Sequence, residues 1–270
     1  MTAFTQSLQD TSSTNHHRRR TDKPGIGEST IATIALKPPA QTDNLWMRAG
    51  NARNETSAPI EEQRLKIRLA HSDNCIGTAS MLVQKMYDTR GYPANPVKRG
   101  AMRFTLMAFQ DNEVVGTVTL ALDSEDGLAA DQLYKENVDQ LRSEGRKIGE
   151  LTKLAIDRHA KSKYIFGGML HIAYIYARRI YNYTDVVLEV VPHHLNYYTK
   201  MLGCEPLGEE KLNPRVNFPV SLLRLKGEYV DQMITLYGGK GEKADTRTLY
   251  AYFFSKEDED GIMQRLLRGE

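Results

Sequence analysis

Arg146-Lys147-Ile148-Gly149-Glu150-Leu151-Thr152-Lys153-Leu154-Ala155-Ile156-Asp157, with the basic turn Arg158-His159-Ala160-Lys161-Ser162-Lys163 that follows, is the stretch whose reading decides the fold. At period two it is a strand: Ile148, Glu150, Thr152, Leu154 and Ile156 share one face, and Lys147, Gly149, Leu151, Lys153, Ala155 and Asp157 the other. Glu150 then lies on the more apolar face. A carboxylate there must be paired, reach water in a cleft, or hold its proton more tightly than usual. Pairing makes it a buried salt bridge to Arg146 or Lys153; the other two outcomes suit a general base.

Downstream, Tyr164 to Tyr181 carries Ile165, Phe166, Met169, Ile172, Ala173, Tyr176 and Ile180 on a wide apolar stripe, which predicts a long helix lying on a sheet. Val186-Val187-Leu188-Glu189-Val190-Val191 is a near-continuous apolar strand, as expected for parallel pairing through that helix. A short helix over His194 to Leu202, closed by Gly203, and two strands around Glu205 to Gly208 and Val220 to Leu225 follow. Upstream, Arg64 to Leu69 alternates as a strand. Ile76, Ala79, Val83, Met86 and Tyr87 mark a helix capped by Asp73 or Asn74, and Phe104 to Phe109 with Val114 to Leu122 makes an antiparallel hairpin. Leu133, Tyr134, Val138 and Leu141 give one more helix, capped by Asp131 and ended by Gly145.

The ends read differently. Residues 1–58 are rich in Thr, Ser, Asn, Gln and Pro and are expected to be mostly disordered, with Arg18-Arg19-Arg20 as a basic knot. Ile31 to Leu36, as a short strand, and Leu45-Trp46-Met47, as an anchor, are the segments expected to dock. Residues 59–226 form the folded domain. Residues 227–270 form a C-terminal extension, with helical segments at Arg247 to Phe254 and Glu257 to Leu267, packing on the domain edge or offering a partner surface.

Thirty-six Lys+Arg against 34 Asp+Glu leave a net charge of +2, which argues against a dedicated nucleic-acid or polybasic membrane binder. Cys75 and Cys204 are too few for a disulfide framework and form no CxxC pair, so a reducing cytoplasm is expected. No apolar run approaches the roughly 18 residues of a membrane span, and the polar Thr5 to Thr14 has no signal-peptide character. No cluster has metal-ligand spacing, and no Walker or Rossmann glycine loop occurs.

The order of elements resembles the acyltransferase fold of the GNAT superfamily, an α/β (α+β) fold with a central mixed sheet flanked by helices. Val115-Gly116-Thr117-Val118-Thr119-Leu120, Asp123-Ser124, Gly127-Leu128, Arg146, Glu150 to Ile156, Pro192-His193-His194 and Tyr197-Tyr198 through Leu202-Gly203 resemble the long-chain N-acyl amino acid synthases. The likeness spans about residues 64–226. Two departures stand out: the family's Glu-Leu-Ser-Arg is here Glu150-Leu151-Thr152-Lys153, and Tyr198 lies five residues before Gly203, where GNAT enzymes usually place the acid Tyr four before.

The resemblance implies an N-acyltransferase that moves a long-chain fatty acyl group from acyl carrier protein to the α-amine of a free amino acid. The donor carrier is the phosphopantetheine arm, with no bound cofactor, no nucleic acid and no membrane span; the lipid product allows peripheral membrane contact. The Gln/Arg-x-x-Gly-x-Gly/Ala loop that grips CoA pyrophosphate is absent from Arg158 to Gly168, in keeping with a carrier-borne donor. Glu150 is the candidate base. His194 is placed to orient thioester or acceptor, against a capping or structural role, and Tyr198 to donate to the leaving thiolate, against core packing. The backbone of Leu154, Ala155 and Ile156 would hold the pantetheine arm where two strands splay, or simply pair in the ladder. Asp123, Ser124 and Asp131 are candidates for shaping the acceptor side, against a role as turn formers and caps; Arg146 is a candidate substrate-binding residue; and Arg158, Lys161 and Lys163 are candidates for carrier docking or a solvated loop. Alternatives are an acyl-homoserine-lactone synthase, an acyl-CoA-dependent N-acetyltransferase and a non-catalytic acyl-binding sensor.

Overall fold

The computed structural model describes residues 30–36, 63–160, 162–214 and 216–269. The expectations for the rest of residues 1–58, including Arg18-Arg19-Arg20 and Leu45-Trp46-Met47, and for Lys161 lie outside the described residues. Among the described residues nine strands form one mixed sheet: β1 (Thr30–Leu36), β2 (Gln63–Leu69), β3 (Arg103–Gln110), β4 (Glu113–Leu122), β5 (Ile148–Ile156), β6 (Asp185–Val190), β7 (Glu205–Pro206), β8 (Lys211–Asn213) and β9 (Phe218–Lys226). The order is β1-β2-β3-β4-β5-β6-β9-β7, with β8 also paired to β9. Ile31 to Leu36 docks as expected, antiparallel to β2.

Local chemistry explains the joints. The β3–β4 hairpin turns on Asp111 and Asn112, both at positive φ (50° and 65°), the conformation that Asp and Asn tolerate best after Gly. Helix α1 (Asp73–Asp88) is capped by Ser72, whose hydroxyl accepts from the Cys75 amide, not by Asp73 or Asn74. The connection from β5 to the parallel β6 runs through α3 (Ser162–Tyr174), which continues as a π-helix over Ile175–Ile180. The periodic stripe in the sequence marked this whole length as helix, but it carries no sign of the change in winding.

Alternation along the strands sorts the core into two layers. On one face, α1 packs on Met107 and Ala155, while α2 (Asp131–Ser143) packs on Ala121, Ile148 and Val187. On the other, α3 covers Leu106, Val118 and Leu120, and reaches Leu188, Val190 and Leu223 beside α4 (Pro192–Leu202).

The C-terminal segment belongs to that second layer. It comprises α5 (Gly227–Tyr237), which the sequence reading missed, a 3₁₀ turn at Leu249–Tyr252, and α6 (Lys256–Arg268). Val230, Ile234, Leu249, Tyr250 and Phe253 enter the core, so this segment packs over α3. Gly167 and Gly168 make the approach possible: a Cβ on Gly167 would stand 2.7 Å from the Tyr252 carbonyl oxygen.

A buried dyad ties α3 to α6. His171 Nδ1 accepts from the Phe254 amide at 2.9 Å, so its other nitrogen carries the proton and Nε2–H donates to Glu259 at 3.2 Å. Both side chains are fully buried, and Glu259 is also bonded by Arg179 and Lys256. Burial lowers the His171 pKa from 6.5 more than the Glu259 bond raises it. The neutral form is thus the folded form, and its contribution is complete above the unfolded-state pKa near 6.5. Below that pH the unfolded chain takes a proton that the folded one refuses, so stability falls by up to about 1.4 kcal/mol per pH unit until the folded pKa is reached. Melting temperatures between pH 5 and 8 should show this limb in the wild type and a shallower one in His171→Gln; identical limbs would contradict it.

Candidate active site

The sheet opens at its centre. β5 and β6 pair only at Ile148↔Asp185, Gly149↔Val186 and Glu150↔Val187, although β5 runs on to Ile156 and β6 to Val190. Beyond Glu150 the two strands part into a fork. The cause is visible on β5: Lys153 has φ 54°, and the pairing with β4 jumps from Thr119↔Thr152 to Thr117↔Ala155. Lys153 and Leu154 thus oppose Val118 alone, a β-bulge that bends the strand away from β6.

The bulge also corrects the sequence reading of faces. Simple alternation put Leu154 and Ile156 with Glu150, and Ala155 opposite. In the structure Ala155 packs under α1, whereas Leu154 and Ile156 join Leu151 against the α3 layer. One extra residue reverses every side chain after it. The candidate arm-binding stretch Leu154, Ala155 and Ile156 therefore forms the wall of the fork, with its aliphatic side chains on the α3 side.

The closed end of the fork is clamped. Arg146 bonds Asp185 and, at 3.1 Å, Glu228; Arg224 donates to the second oxygen of Asp185 at 2.7 Å. Burial is the largest influence on Asp185 and would raise its pKa, but the bonds from Arg146, Thr184 and Arg224 together hold its carboxyl below the usual range. Arg146, a candidate substrate-binding residue, takes part in this clamp at the end away from the opening. Asp123 and Ser124 lie at that end too: Asp123 takes a bidentate bond from Arg142 at 2.7 and 2.9 Å and its amide donates to Ile148 O, while Ser124 lines a shallow depression beside it. All three follow the end of β4 or precede the start of β5, at the end of the sheet where β5 and β6 are still paired.

Glu150 stands where the fork begins, 1% exposed. Its oxygens accept from the Ala129 amide at 2.7 Å and the Ala130 amide at 3.0 Å. Those amides lie just before α2, so the carboxylate anchors the loop that leads into the helix; Asp131, expected as its cap, accepts from the Leu128 amide and from Arg142. The Ala130 amide from which Glu150 accepts lies in a loop 20 residues away.

The mouth of the fork is lined from two helices. His194 sits in the first turn of α4, half-buried, its pKa lowered by burial and then by His193 and Arg90. Tyr198, one turn on, packs edge-on to Phe166 with ring centroids 6.2 Å apart. Burial raises its hydroxyl pKa well above 10, with Tyr87, Cys204 and Tyr197 adding to it, so it stays protonated. Arg90 and Tyr87, from the end of α1, act electrostatically on both residues and were not singled out in the sequence. Their only sequence mark is the end of a helix more than 100 residues away. Across the opening, the basic turn brings Arg158 to Thr89 Oγ1 at 2.9 Å and Lys163 to Tyr252 at the start of α3.

A cavity of about 500 Å³ lies elsewhere, between the π-helix, α5 and α6. Its charged groups are already matched: Arg178 with Asp231, Arg179 with Glu259 and Asp260, Lys256 with Glu259. Among the described residues no group of His, Cys, Asp and Glu side chains is arranged to hold a metal ion, and no helix is long and apolar enough to cross a membrane.

No curated protein sequence matches this chain. The solved structure of FeeM, an N-acyl amino acid synthase from uncultured soil microbes, superposes with a TM-score of 0.56 at 22% identity, covering 63% of this chain and 94% of that one. An acyl-CoA N-acyltransferase from Pseudomonas aeruginosa (TM-score 0.42, 16% identity, 61% and 99% covered) and the AHL synthase LasI (0.45, 12%, 60% and 90%) are also similar. The fold is GNAT-like, a mixed sheet flanked by helices. The family model for the N-acyl amino acid synthase FeeM matches residues 78–226, a span that runs from inside α1 to the end of β9 and takes in the fork, the bulge, Glu150, His194 and Tyr198. This chain belongs to the FeeM family of N-acyl amino acid synthases.

Proposed function

We propose that this acyltransferase takes a long-chain fatty acyl group from the phosphopantetheine thioester of acyl carrier protein and places it on the α-amine of a free amino acid. The observation that carries this reading is the fork: past Glu150 the edge of β5 over Leu154 to Ile156 is released from β6, leaving backbone groups to pair with the amides of a pantetheine arm. The apolar α3 side of the fork, with Leu154, Ile156 and Phe166, suits the acyl chain. Arg158 and Lys163 at the start of α3 offer cations to the arm's phosphate and to an acidic carrier.

In the transfer, the amine lone pair attacks the thioester carbon, a C–N bond forms, the C–S bond breaks, and one proton passes from nitrogen to sulfur. Neutral His194, its pKa lowered by burial and then by His193 and Arg90, accepts the amine proton. Tyr198, still protonated at working pH, donates a hydrogen bond to the departing thiolate. Glu150 enters as a positioning group and not as the direct base, because both oxygens already accept backbone amides and its side chain is shut from solvent. The test is product formation by the purified protein, given an acyl carrier thioester and an amino acid, read by mass spectrometry.

A further inference from the structure

We infer that Lys153 is a positioning residue that fixes the acceptor-side wall of the fork and thereby governs recognition of the amino acid; this rests on the function proposed above. Lys153 is the bulge residue, held in the left-handed region that L side chains rarely adopt. The bulge turns its side chain out of the ladder, and Nζ donates to the carbonyl of Asn95 at 2.6 Å. A strained residue on the central strand is thus tied to the segment that follows α1.

That segment spans the fork. It leaves α1, which packs over β5, and Tyr92 meets Phe218 of β9 edge-on with centroids 4.8 Å apart. β9 lies beyond β6, so a chain that reaches from α1 to Phe218 crosses the gap between β5 and β6. Further on, Val97 is buried beneath α1 and its amide donates to Ser80 Oγ at 3.0 Å. The segment is therefore held at three points: the ring of Tyr92, the carbonyl of Asn95 and the side chain of Val97. Lys153 supplies the middle one, directly at the opening.

What the strap roofs differs from what lies behind it. On the α1–α2 face the sheet is polar near the fork: Thr105 and Thr119 share a hydrogen bond of 2.9 Å, and Thr152 is paired across from Thr119. The buried Thr117 hydroxyl on the same face has no hydrogen-bond partner among the described residues. The opposite face carries Leu151, Leu154 and Ile156. A zwitterionic acceptor suits the polar face and a fatty acyl chain the apolar one. Loosening the strap should accordingly weaken the acceptor and spare the donor.

Three variants separate positioning from mere stability. Lys153→Met removes the ammonium and keeps the strained backbone; Lys153→Gly removes both ammonium and strain; Lys153→Arg restores a donor of similar reach. The Michaelis constant for the amino acid should rise about tenfold in Met and Gly, as expected for loss of one charged hydrogen bond, and return toward wild type in Arg. The constant for the acyl carrier thioester should stay within about twofold. Lys153→Gly should melt no lower than wild type, since glycine accepts positive φ without strain. Unchanged acceptor constants, or equal changes for donor and acceptor, would overturn the inference. If the wild type forms no N-acyl amino acid, the proposed function falls, and hydrogen exchange over residues 91–100 decides the strap alone: faster exchange in Lys153→Met upholds it, unchanged exchange removes it.

Discussion

Glu150→Gln should lower stability and turnover together. The carboxylate has two oxygens and two amide donors, Ala129 and Ala130, at 2.7 and 3.0 Å in a fully buried setting. An amide side chain keeps one acceptor and turns an NH₂ group against the other donor. Hydrogen bonds to charged groups contribute about 1.5–3 kcal/mol, and an orphaned buried donor adds its own desolvation cost, so a loss of about 3 kcal/mol is expected. For a domain of this size that lowers the melting temperature by about 6–12 °C. Turnover falls because the start of α2, no longer held to β5, borders the polar side of the fork. Thermal melts and activity measured on the same preparation check this. Abolished turnover with an unchanged melting temperature would make Glu150 the base after all, and no change in either would show that the anchor is dispensable.

His194→Gln should separate the other way, leaving the melt near wild type while turnover drops by roughly 10²–10⁴-fold, the usual scale for a general base. Gln matches the imidazole in size, and the backbone bond from the His194 amide to Val191 O is untouched. The pH profile gives the sign. Burial lowers the His194 pKa, so the wild-type rate should rise with pH through a midpoint below 6.5 and be level above it, where the imidazole is fully unprotonated. The variant should lack that limb. A variant with wild-type turnover would strike His194 from the mechanism.

Much of the scaffold was legible because it depends on local periodicity. The alternation of β2, the hairpin of β3 and β4, the stripe of α3, the apolar run of β6 and Gly203 at the end of α4 each announce themselves within a dozen residues. The site was less legible, for physical reasons that differ by residue. Lys153 adopts a conformation that nothing about lysine foretells, and with it the sides of Leu154, Ala155 and Ile156 were reversed. Arg146 and Asp123 read as substrate groups from the family blocks, yet each is consumed by a partner distant in sequence, Asp185 and Arg142. Glu150 accepts from the Ala129 and Ala130 backbone amides, which no pattern of side chains records. Tyr87, Arg90 and the strap reach the fork only through the packing of α1 on β5.

The central claim is that the fork passes an acyl group from a carrier thioester to an amino acid, and the most direct measurement is the reaction of purified protein with long-chain acyl carrier thioester and a mixture of amino acids, followed by mass spectrometry and thiol release. The account predicts N-acyl amino acid masses appearing in step with free carrier thiol, and little product when acyl-CoA replaces the carrier. Product from acyl-CoA alone, a lactone in place of an acyl amino acid, or bound lipid without any turnover by folded protein would contradict it.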